Sequence, residues 1–464
     1  MDGALVDDTV GTLTCPWHGL CYDATSGGAS PCRARSWRRS RFPGGRRPRV
    51  GAPVSAPGPE AVPEVRVTVV PPGTPPGAAQ PGAAAGPSLR RRTRRLAAAG
   101  RPRRPGTSGL LLPWPSRPPT AWMYRPRGVL LDDGLVVAAD TGNHRVLLWY
   151  SVPDRDGAPA DVVLGQPDEH SEGPAAGGRG PEHGMHLPTG LVRDGDRLLV
   201  ADAWHHRLLV WDSLPTETGT PPDHVLGQSD LRACEPNAGA EPDAGSFYWP
   251  FGASLVDGRL YVADTGNRRV LVWRDGIPEG GQPADVVLGQ PDGSAREENR
   301  GGPVAADSFR WPHAFAGDGA GGVWVADAGN HRLLGWRAHP DEDRPADLVL
   351  GQPDFETGTE FPYVPQERRL RFPYAVAAVG ADLAIADTAN NRVLVQHGPV
   401  ACLDPDVALA QPDLVANGEN RWAEVAADTL CWPYGLAWHR TSDGGDLLAV
   451  ADSGNNRVVL WERS

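Results

Sequence analysis

Short apolar runs separated by polar turns follow one another through residues 121–464. In each of six copies, an apolar run ends in Val-Ala-Asp or a close variant, a six-residue turn begins at that aspartate, and a second apolar run follows. The second run closes on a tryptophan in five copies and on Gln396 in the remaining one. Runs of this length, rich in β-branched and aromatic residues and bounded by Gly, Pro, Asn and Asp, predict β-strands.

The turn is the clearest repeated feature. It begins at an aspartate, has Asn or His at its fourth position and ends at an arginine. The six aspartates lie 62, 62, 63, 60 and 65 residues apart, at Asp140, Asp202, Asp264, Asp327, Asp387 and Asp452. A unit repeated at such a period buries its apolar faces by stacking against its neighbours.

Two further segments complete each unit. A Pro-x-Gly or Pro-x-Ala step precedes the first run, and a segment like Leu-Gly-Gln-Pro-Asp marks a fourth run in five copies. Four short strands per unit, arranged radially, form a β-propeller, so we predict an all-β domain of six blades over residues 121–464. We expect structural roles for the turn residues, because Asn and Gly tolerate positive φ and Asp accepts backbone N–H bonds across a loop.

The repeat resembles a known family. Six copies of Asp-x-x-Asn/His-x-Arg in register, with the Leu-Gly-Gln-Pro-Asp segments, are similar to the NHL repeat over residues 121–464. The resemblance implies a six-bladed NHL propeller. It also implies that the segments between each Gln-Pro-Asp and the next Pro-x-Gly form long loops on the same face as the turns.

One outer strand is missing from the repeats. There are six sets of the first three strands but five Gln-Pro-Asp strands, and the chain stops after the third strand of the last blade. We therefore expect the missing strand to come from before residue 121. Residues 110–112 are the nearest apolar candidate, and we predict that segment 105–120 closes the ring by pairing with residues 455–462.

The charge is unevenly distributed along the chain. The net charge is -12, yet residues 33–104 carry 17 arginines against two glutamates, whereas residues 121–464 carry 27 arginines against 51 carboxylates. An acidic propeller repels phosphate backbones, so we predict no nucleic-acid partner. Because no apolar run approaches the roughly 18 residues of a membrane span and no signal pattern precedes residue 20, we predict a cytoplasmic protein with no membrane partner.

A short motif near the N-terminus indicates redox chemistry. Residues 14–23 are Thr-Cys-Pro-Trp-His-Gly-Leu-Cys-Tyr-Asp. They resemble the second cluster-binding loop of Rieske proteins, Cys-Pro-x-His-Gly-x-x-Tyr/Phe-Asp. In a Rieske centre two cysteines hold one iron and two histidines hold the other. The resemblance implies that Cys15 and His18 are ligands of a [2Fe–2S] cluster, that Trp17 shields it and that Tyr22 shapes the loop.

The chain contains half of that ligand set. Rieske proteins carry a partner Cys-x-His loop upstream of this one, and residues 1–14 contain none. We therefore expect residues 1–32 to be a partial Rieske domain. Either the true start of the protein lies upstream of Met1, or this gene product is an evolutionary remnant. Residues 33–120, rich in Arg, Pro, Ala and Gly, are expected to be a frameshifted stretch or a disordered linker.

Histidines supply the other candidates for chemistry. Some NHL proteins are lyases with metal-bound histidines around the channel. The candidates here are His183, His186, His313, His439 and the turn residues His144, His205, His206 and His331. The repeat accounts for the turn histidines, His183 and His186 have metal-like spacing, and His313 is expected to line the channel. We expect Trp249, Trp311 and Trp432 to pack within blades rather than form a ligand cage.

Three functional hypotheses follow from these features. The sequence favours [2Fe–2S] electron transfer, with the propeller docking a redox enzyme or another protein on its loop face. The alternative is a non-redox interaction scaffold in which only the propeller works. The third is a metal-dependent propeller enzyme that uses the axial channel, and the sequence favours a binding or electron-transfer protein over such a catalyst.

Overall fold

Each of the six sequence repeats contributes one antiparallel sheet in the computed structural model. The structure describes residues 5–7, 12–14, 20–23, 29–31, 94–95, 122–360, 368–442 and 444–463. The innermost strands of the six sheets contact one another in cyclic order, so the sheets form a closed ring. The predicted six-bladed β-propeller is confirmed.

The chain divides into two compact units, Met1–Pro81 and Gly82–Ser464. The first unit contains a four-stranded antiparallel sheet, with neighbouring strands paired in chain order. Its strands are β1 (Leu5–Asp7), β2 (Thr12–Thr14), β3 (Leu20–Asp23) and β4 (Ala29–Pro31). Cys15 and His18, which follow β2, lie outside the described residues.

The second unit contains the propeller, and each blade begins with the strand nearest the axis. One strand from before the repeats, β5 (Arg94–Arg95), belongs to the last blade. Blade 1 comprises β6 (Gly128–Asp132), β7 (Leu135–Asp140), β8 (Arg145–Trp149) and β9 (Val162–Leu164). Blade 2 comprises β10 (Pro188–Asp194), β11 (Arg197–Asp202), β12 (Arg207–Trp211) and β13 (His224–Leu226). Blade 3 comprises β14 (Pro250–Val256), β15 (Arg259–Asp264), β16 (Arg269–Trp273) and β17 (Val286–Leu288).

The remaining blades follow the same plan. Blade 4 comprises β18 (Pro312–Gly317), β19 (Val323–Asp327), β20 (Arg332–Trp336) and β21 (Leu348–Leu350). Blade 5 comprises β22 (Pro373–Val379), β23 (Asp382–Asp387), β24 (Arg392–Gln396) and β25 (Val407–Leu409). Blade 6 comprises β26 (Pro433–Arg440), β27 (Asp446–Asp452), β28 (Arg457–Arg463) and β5.

Strand pairing places the turns and the long loops on one side of the ring. In blade 2, Pro188 pairs with Asp202 and Leu208 pairs with Leu226, so the first strand starts and the fourth strand ends beside the turn. The same register recurs in blades 3 to 5. We call this side the turn face, and it carries the long loops as expected.

The core consists of six apolar clusters, one between each pair of adjacent blades. Between blades 3 and 4, for example, Tyr261, Val270, Phe309 and Trp336 pack together with at most 2% exposure. Because every blade is covered on both faces, the second and third strands are apolar throughout rather than alternating with polar residues.

Close approach at the axis explains the Pro-x-Gly step. A Cβ built on Gly252 would lie 1.7 Å from the carbonyl oxygen of His313 in the next blade, and one on Gly128 would lie 1.8 Å from that of Thr189. Glycine removes this clash. The same position is Ala314 in blade 4 and Ala375 in blade 5, which are still small residues.

The tryptophans that close the third strands fasten the next loop. Trp149, Trp211, Trp273 and Trp336 each donate an indole N–H bond of 3.0 to 3.2 Å to a backbone carbonyl of that loop. Gln396 keeps this function, since its amide donates to the carbonyl of Cys402 at 3.0 Å. The single exception to the tryptophan pattern therefore preserves the hydrogen-bond donor.

The ring is closed by chain segments from both ends of the propeller unit. β28 pairs antiparallel with β5, with Val459 opposite Arg95 and Leu460 opposite Arg94. The outer strand thus comes from before residue 121, as expected, and the residues that pair there are Arg94–Arg95. The predicted segment 105–120, with residues 110–112, lies outside the described residues. Two adjacent arginines carry no apolar strand pattern, so the sequence did not point to them.

Helical structure in the described segments is limited to one short turn at Pro174–Gly178 and 3-10 turns of three or four residues. No helix found there is long and apolar enough to cross a membrane.

Candidate functional site

A buried aspartate organises each of the six turns. In blade 3, one carboxylate oxygen of Asp264 accepts the backbone N–H of Tyr248 at 2.7 Å, and the other accepts Asn267 Nδ2 and Arg269 Nε, both at 2.7 Å. Asp264 and Arg269 are fully buried. The same Asp–Arg pair, with 0 to 1% exposure, occurs in the other five blades. The aspartate thereby ties the turn to the segment before the first strand.

We call each buried Asp–Arg pair a clamp, and its arginine also binds two loops. In blade 3, Arg269 Nη2 donates to the carbonyls of Asp243 and Ser246 at 2.6 and 3.0 Å, and Nη1 donates to the carbonyl of Gly293. The first two carbonyls precede the blade and the third follows its fourth strand. Burial raises the pKa of Asp264, whereas the Arg269 guanidinium acts in the opposite direction. The turn aspartates and arginines are structural, as predicted.

A second contact links five of the six turns to the next blade. The fifth residue of every turn is in the left-handed conformation, with φ between 53° and 57°. In five blades its side chain accepts the N–H of the residue before the next inner-strand proline, at 2.9 to 3.2 Å. The acceptors are His144, His206 and His331 through Nδ1, and Asn391 and Asn456 through Oδ1. We call these contacts the blade clasps.

The three histidines of the clasps are neutral at pH 7. Burial is the largest cause that lowers the pKa of His144, His206 and His331 to about 4. An imidazole that accepts through Nδ1 is neutral and carries its proton on Nε2. The Asn456 clasp to the N–H of Arg125 joins blade 6 to blade 1, so the same device closes the ring.

Six side chains converge on the axis near the turn face and form what we call the floor. Each directly follows the proline of a Pro-x-Gly or Pro-x-Ala step. They are Arg127, Thr189, Phe251, His313, Tyr374 and Tyr434. Phe251 and Tyr434 come from opposite blades, yet their ring centroids are 6.4 Å apart. Tyr374 and Tyr434 stack at 4.5 Å with 8° between their planes.

His313 lines the channel as predicted. It is 3% exposed, and its ring centroid lies 4.3 Å from that of Phe251 and 4.6 Å from that of Tyr374. Its Nδ1 lies 2.9 Å from the carbonyl oxygen of Trp311, so Nδ1 carries a proton and donates. Burial lowers the pKa of His313 to about 3, and the ring is neutral at pH 7.

The floor closes a channel whose cavity has a volume of about 360 Å³. Five of the six floor residues are at most 9% exposed, and Tyr434 is half-buried. The lining includes all six inner strands, and at the end away from the turn face it reaches half-exposed residues such as Asp132, Arg193 and Ala378. The channel is therefore blind at the turn face and open at the opposite face.

The other predicted histidines do not converge with His313. His183 is exposed in a long loop near Glu182, and His439 lies towards the opposite face, where its Nε2 is 3.5 Å from an oxygen of Asp133. His186 lies on the turn face, 5.1 Å from the ring of His144 and 5.5 Å from that of His205. The histidines considered as possible metal ligands are thus dispersed. Spacing along the sequence did not show that these residues occupy different faces.

Within the described residues, one group of three has ligand atoms all within 4.8 Å of one another: Asp132, Asp133 and His439. Asp132 already pairs with Arg193 at 3.0 Å. The three-histidine cluster on the turn face does not meet the same distance limit. His205 Nδ1 lies 2.8 Å from Asp202, in the place that Asn occupies in the other turns, so it belongs to the clamp.

Contrary to the prediction, the tryptophans before the inner-strand prolines are not buried inside the blades. Trp432 is 39% exposed, and Trp249 and Trp311 are half-buried. Trp249 and Trp432 have φ of 54° and 51°, which removes them from the strand that follows. This conformation accompanies the clasp to the neighbouring turn, a contact that the sequence pattern did not reveal.

No protein-family model matches the sequence, and no curated protein matches it either. Among solved structures, the WD40 β-propeller domain of Doa1 is 12% identical, with a TM-score of 0.41 over 74% of this chain and 94% of that chain. Streptogramin B lyase is 11% identical, with a TM-score of 0.35 over 80% and 96%.

A third similar structure is a catalytically inactive virginiamycin B lyase from Staphylococcus aureus with quinupristin. It is 13% identical, with a TM-score of 0.35 over 74% of this chain and 96% of that chain. Likenesses this distant carry no argument about activity. The fold assignment rests on the strand pairing described above.

The clasps predict which residues the fifth turn position tolerates. Replacing His206 with Asn keeps both an acceptor and a residue suited to positive φ, so the free energy of unfolding should stay near that of the wild type. His206→Gly keeps the conformation but loses the acceptor, and should cost about 1 kcal/mol. Urea unfolding of the full chain measures both. Equal stabilities for His206→Gly and His206→Asn would show that the hydrogen bond contributes nothing.

Proposed function

We propose that this protein is a non-redox interaction scaffold whose propeller binds a partner protein on the turn face. The observation that supports this is the distribution of exposed large hydrophobic side chains. In the part of the chain that the structure describes, seven of eight lie in the loops of the turn face or directly before blade 1. They are Trp122, Tyr124, Tyr248, Val415, Trp422, Val425 and Trp432, and the eighth is Tyr150.

Most of these side chains occupy neighbouring sectors of the ring. Four belong to the loop before blade 6, and two precede blade 1, which the Asn456 clasp joins to blade 6. We call Trp122, Tyr124, Trp422 and Trp432 the aromatic patch. Trp422, at the end of the 3-10 turn Glu419–Trp422, is 82% exposed. Exposed Trp and Tyr clustered in this way are typical of the residues that carry binding energy in protein interfaces.

Charge indicates the chemistry of the partner. The five long loops, 165–187, 227–249, 289–311, 351–372 and 410–432, together contain 20 carboxylates and nine arginines. An excess of negative charge around an aromatic patch favours a basic partner surface and faster association at low salt. The opposite face is acidic as well. Charge therefore indicates what kind of partner binds, and the position of the aromatic patch indicates which face binds it.

The proposal predicts selective loss of binding when the patch is truncated. The immobilised full chain, its Trp422→Ala/Trp432→Ala variant and its Tyr150→Ala variant are each incubated with extract of the source cells. Bound proteins are quantified by mass spectrometry. We expect a basic protein whose capture falls about tenfold or more with the double variant, because truncating interface aromatic residues often costs over 1.4 kcal/mol.

Tyr150 is the matched control, since it is the exposed aromatic residue on the opposite face. Its truncation should leave capture of that protein unchanged. Equal capture by all three proteins, or equal losses in both variants, would contradict docking on the turn face.

Cluster binding by Cys15 and His18 remains a separate proposal. One described feature accompanies the motif: β2 and β3, the strands before and after Cys15 and His18, pair antiparallel with Thr14 opposite Cys21. A Rieske cluster needs two thiolates and two imidazoles, and the motif supplies one of each. The residues present therefore fit half of the group, and we derive no electron-transfer step from them.

Iron analysis tests this second proposal. If the motif binds a cluster, the full chain purified without oxygen should contain iron, Cys15→Ser should lose it, and Cys402→Ser, which changes an exposed thiol of the propeller, should retain it. An iron-free wild-type chain, or equal iron in all three proteins, would rule out a cluster at Cys15 and His18 and leave the docking scaffold unaffected.

A further inference from the structure

The turn of blade 2 departs from the repeat at two positions. Its third residue is Trp204, where the other five turns have Gly or Ala, and its fourth is His205, where they have Asn. The backbone contact of the turn is unchanged, since the N–H of Trp204 donates to the carbonyl of His186 at 3.0 Å. The corresponding bond in blade 1, from Gly142 to Tyr124, is 2.8 Å. Only the side chains differ, so the fold alone does not require Trp204 or His205.

His186 has two other histidines beside it on the turn face. Its ring centroid lies 5.1 Å from that of His144 and 5.5 Å from that of His205. The ring of Trp204 lies 6.2 Å from it and packs edge-on against Trp249 at 5.4 Å. His186 is half-buried, and no residue that the structure describes forms a hydrogen bond with its ring nitrogens. Its imidazole is therefore available to a ligand, with a second imidazole next to it.

The tautomer of His205 suits a metal ligand. Its Nδ1 lies 2.8 Å from a carboxylate oxygen of Asp202 and 3.3 Å from Nη2 of Arg207. A carboxylate accepts and a guanidinium donates, so the shorter contact indicates that Nδ1 carries a proton and donates to Asp202. In the neutral ring the lone pair is then on Nε2. Histidines that bind metal ions usually donate their other N–H to a carboxylate or carbonyl in this way.

His144 has the opposite tautomer. Its Nδ1 accepts the N–H of Leu187 at 3.1 Å, so its Nε2 carries the proton and offers no lone pair. His144 would have to break its clasp to coordinate an ion. The cluster therefore supplies two ligands, which agrees with its not forming a group of three within 4.8 Å in the described chain.

We infer that His186 and His205 bind a divalent transition-metal ion such as zinc, with Asp202 positioning His205. At a Zn–N distance of about 2.0–2.1 Å, two imidazoles in tetrahedral coordination have ring centroids roughly 5 Å apart. The observed separation of 5.5 Å is close to that value. Imidazole nitrogen suits zinc, copper and nickel, whereas magnesium and calcium prefer oxygen. Two protein ligands leave the remaining positions to water, so the ion can accept a further ligand.

The environment of His186 favours the form that coordinates. Burial is the largest cause that lowers the pKa of His186, and a metal ion requires the neutral ring. This site goes beyond the docking function, because it belongs to the turn of blade 2 and does not use the aromatic patch.

Zinc titration of the full chain tests the inference. The reduced wild type and the variants His186→Ala and His205→Asn are titrated with Zn²⁺ by calorimetry, and the wild type also with Mg²⁺. We expect each substitution to weaken one zinc site about tenfold or more, and Mg²⁺ to bind there about tenfold or more weakly than Zn²⁺. His205→Asn introduces the residue of the other five turns, so the variant should remain folded.

Two control variants match these changes. His183→Ala removes an exposed histidine from the same loop as His186, and His331→Asn removes a turn histidine while keeping an acceptor for its clasp. Asparagine already occupies the place of His331 in blades 5 and 6. Both controls should bind Zn²⁺ as the wild type does. Zinc held by cysteines elsewhere in the chain is common to all five proteins, and thermal unfolding shows which variants are folded.

Crystals of the wild type soaked in zinc chloride locate the ion by anomalous scattering. A zinc peak between His186 and His205, or a site lost in both variants and kept in both controls, supports the inference. It is overturned if His205→Asn or a folded His186→Ala retains wild-type zinc affinity, if Mg²⁺ matches Zn²⁺, if the controls lose as much, or if zinc lies only elsewhere in the crystal. No partner protein enters these measurements, so their failure would leave docking on the turn face unaffected.

Discussion

The buried Asp–Arg clamp is the interaction on which the rest of the propeller depends. Removing a carboxylate and a guanidinium from water is unfavourable, and their attraction offsets this only when further hydrogen bonds satisfy both groups. Here the carboxylate of Asp264 accepts three such bonds, and Arg269 donates to carbonyls of the loops before and after its blade. The arginines of successive blades hold both ends of each of the five long loops in this way.

The clamps and clasps leave two different surfaces for function. On the turn face, the loops held by the clamps expose the aromatic patch to partners, and the floor side chains prevent passage along the axis. On the opposite face the channel is open, and its floor presents Arg127 among neutral rings.

Periodicity predicted the fold because strand, turn and small-residue positions recur in every blade. The sequence correctly indicated six blades and structural roles for Asp264 and Arg269, since repeated polar residues at a turn serve the repeat itself. It did not identify Arg94–Arg95 as the outer strand, because that pairing uses backbone groups. It also placed Trp432 inside a blade, because the positive φ before the proline depends on a clasp from the adjacent turn.

The candidate site was less predictable than the fold. His313 was recognised as a channel residue from its place after Pro312, whereas Arg127 was not singled out although it has the equivalent place in blade 1. Its position against the ring of Tyr434 depends on how the six blades meet. The motif at Cys15 and His18 is a feature of the sequence alone, since both residues lie outside the described ones.

The stability of chains altered at one clamp tests the central claim most directly. Arg269→Leu leaves the fully buried Asp264 without its ionic partner, and the account predicts a loss of about 3 kcal/mol or more in the free energy of unfolding. The exposed pair Arg368–Asp404, at 2.8 Å, provides the control, and Arg368→Leu should change little. If Arg269→Leu unfolded at the same urea concentration as the wild type, the clamp could not be what holds the blades together.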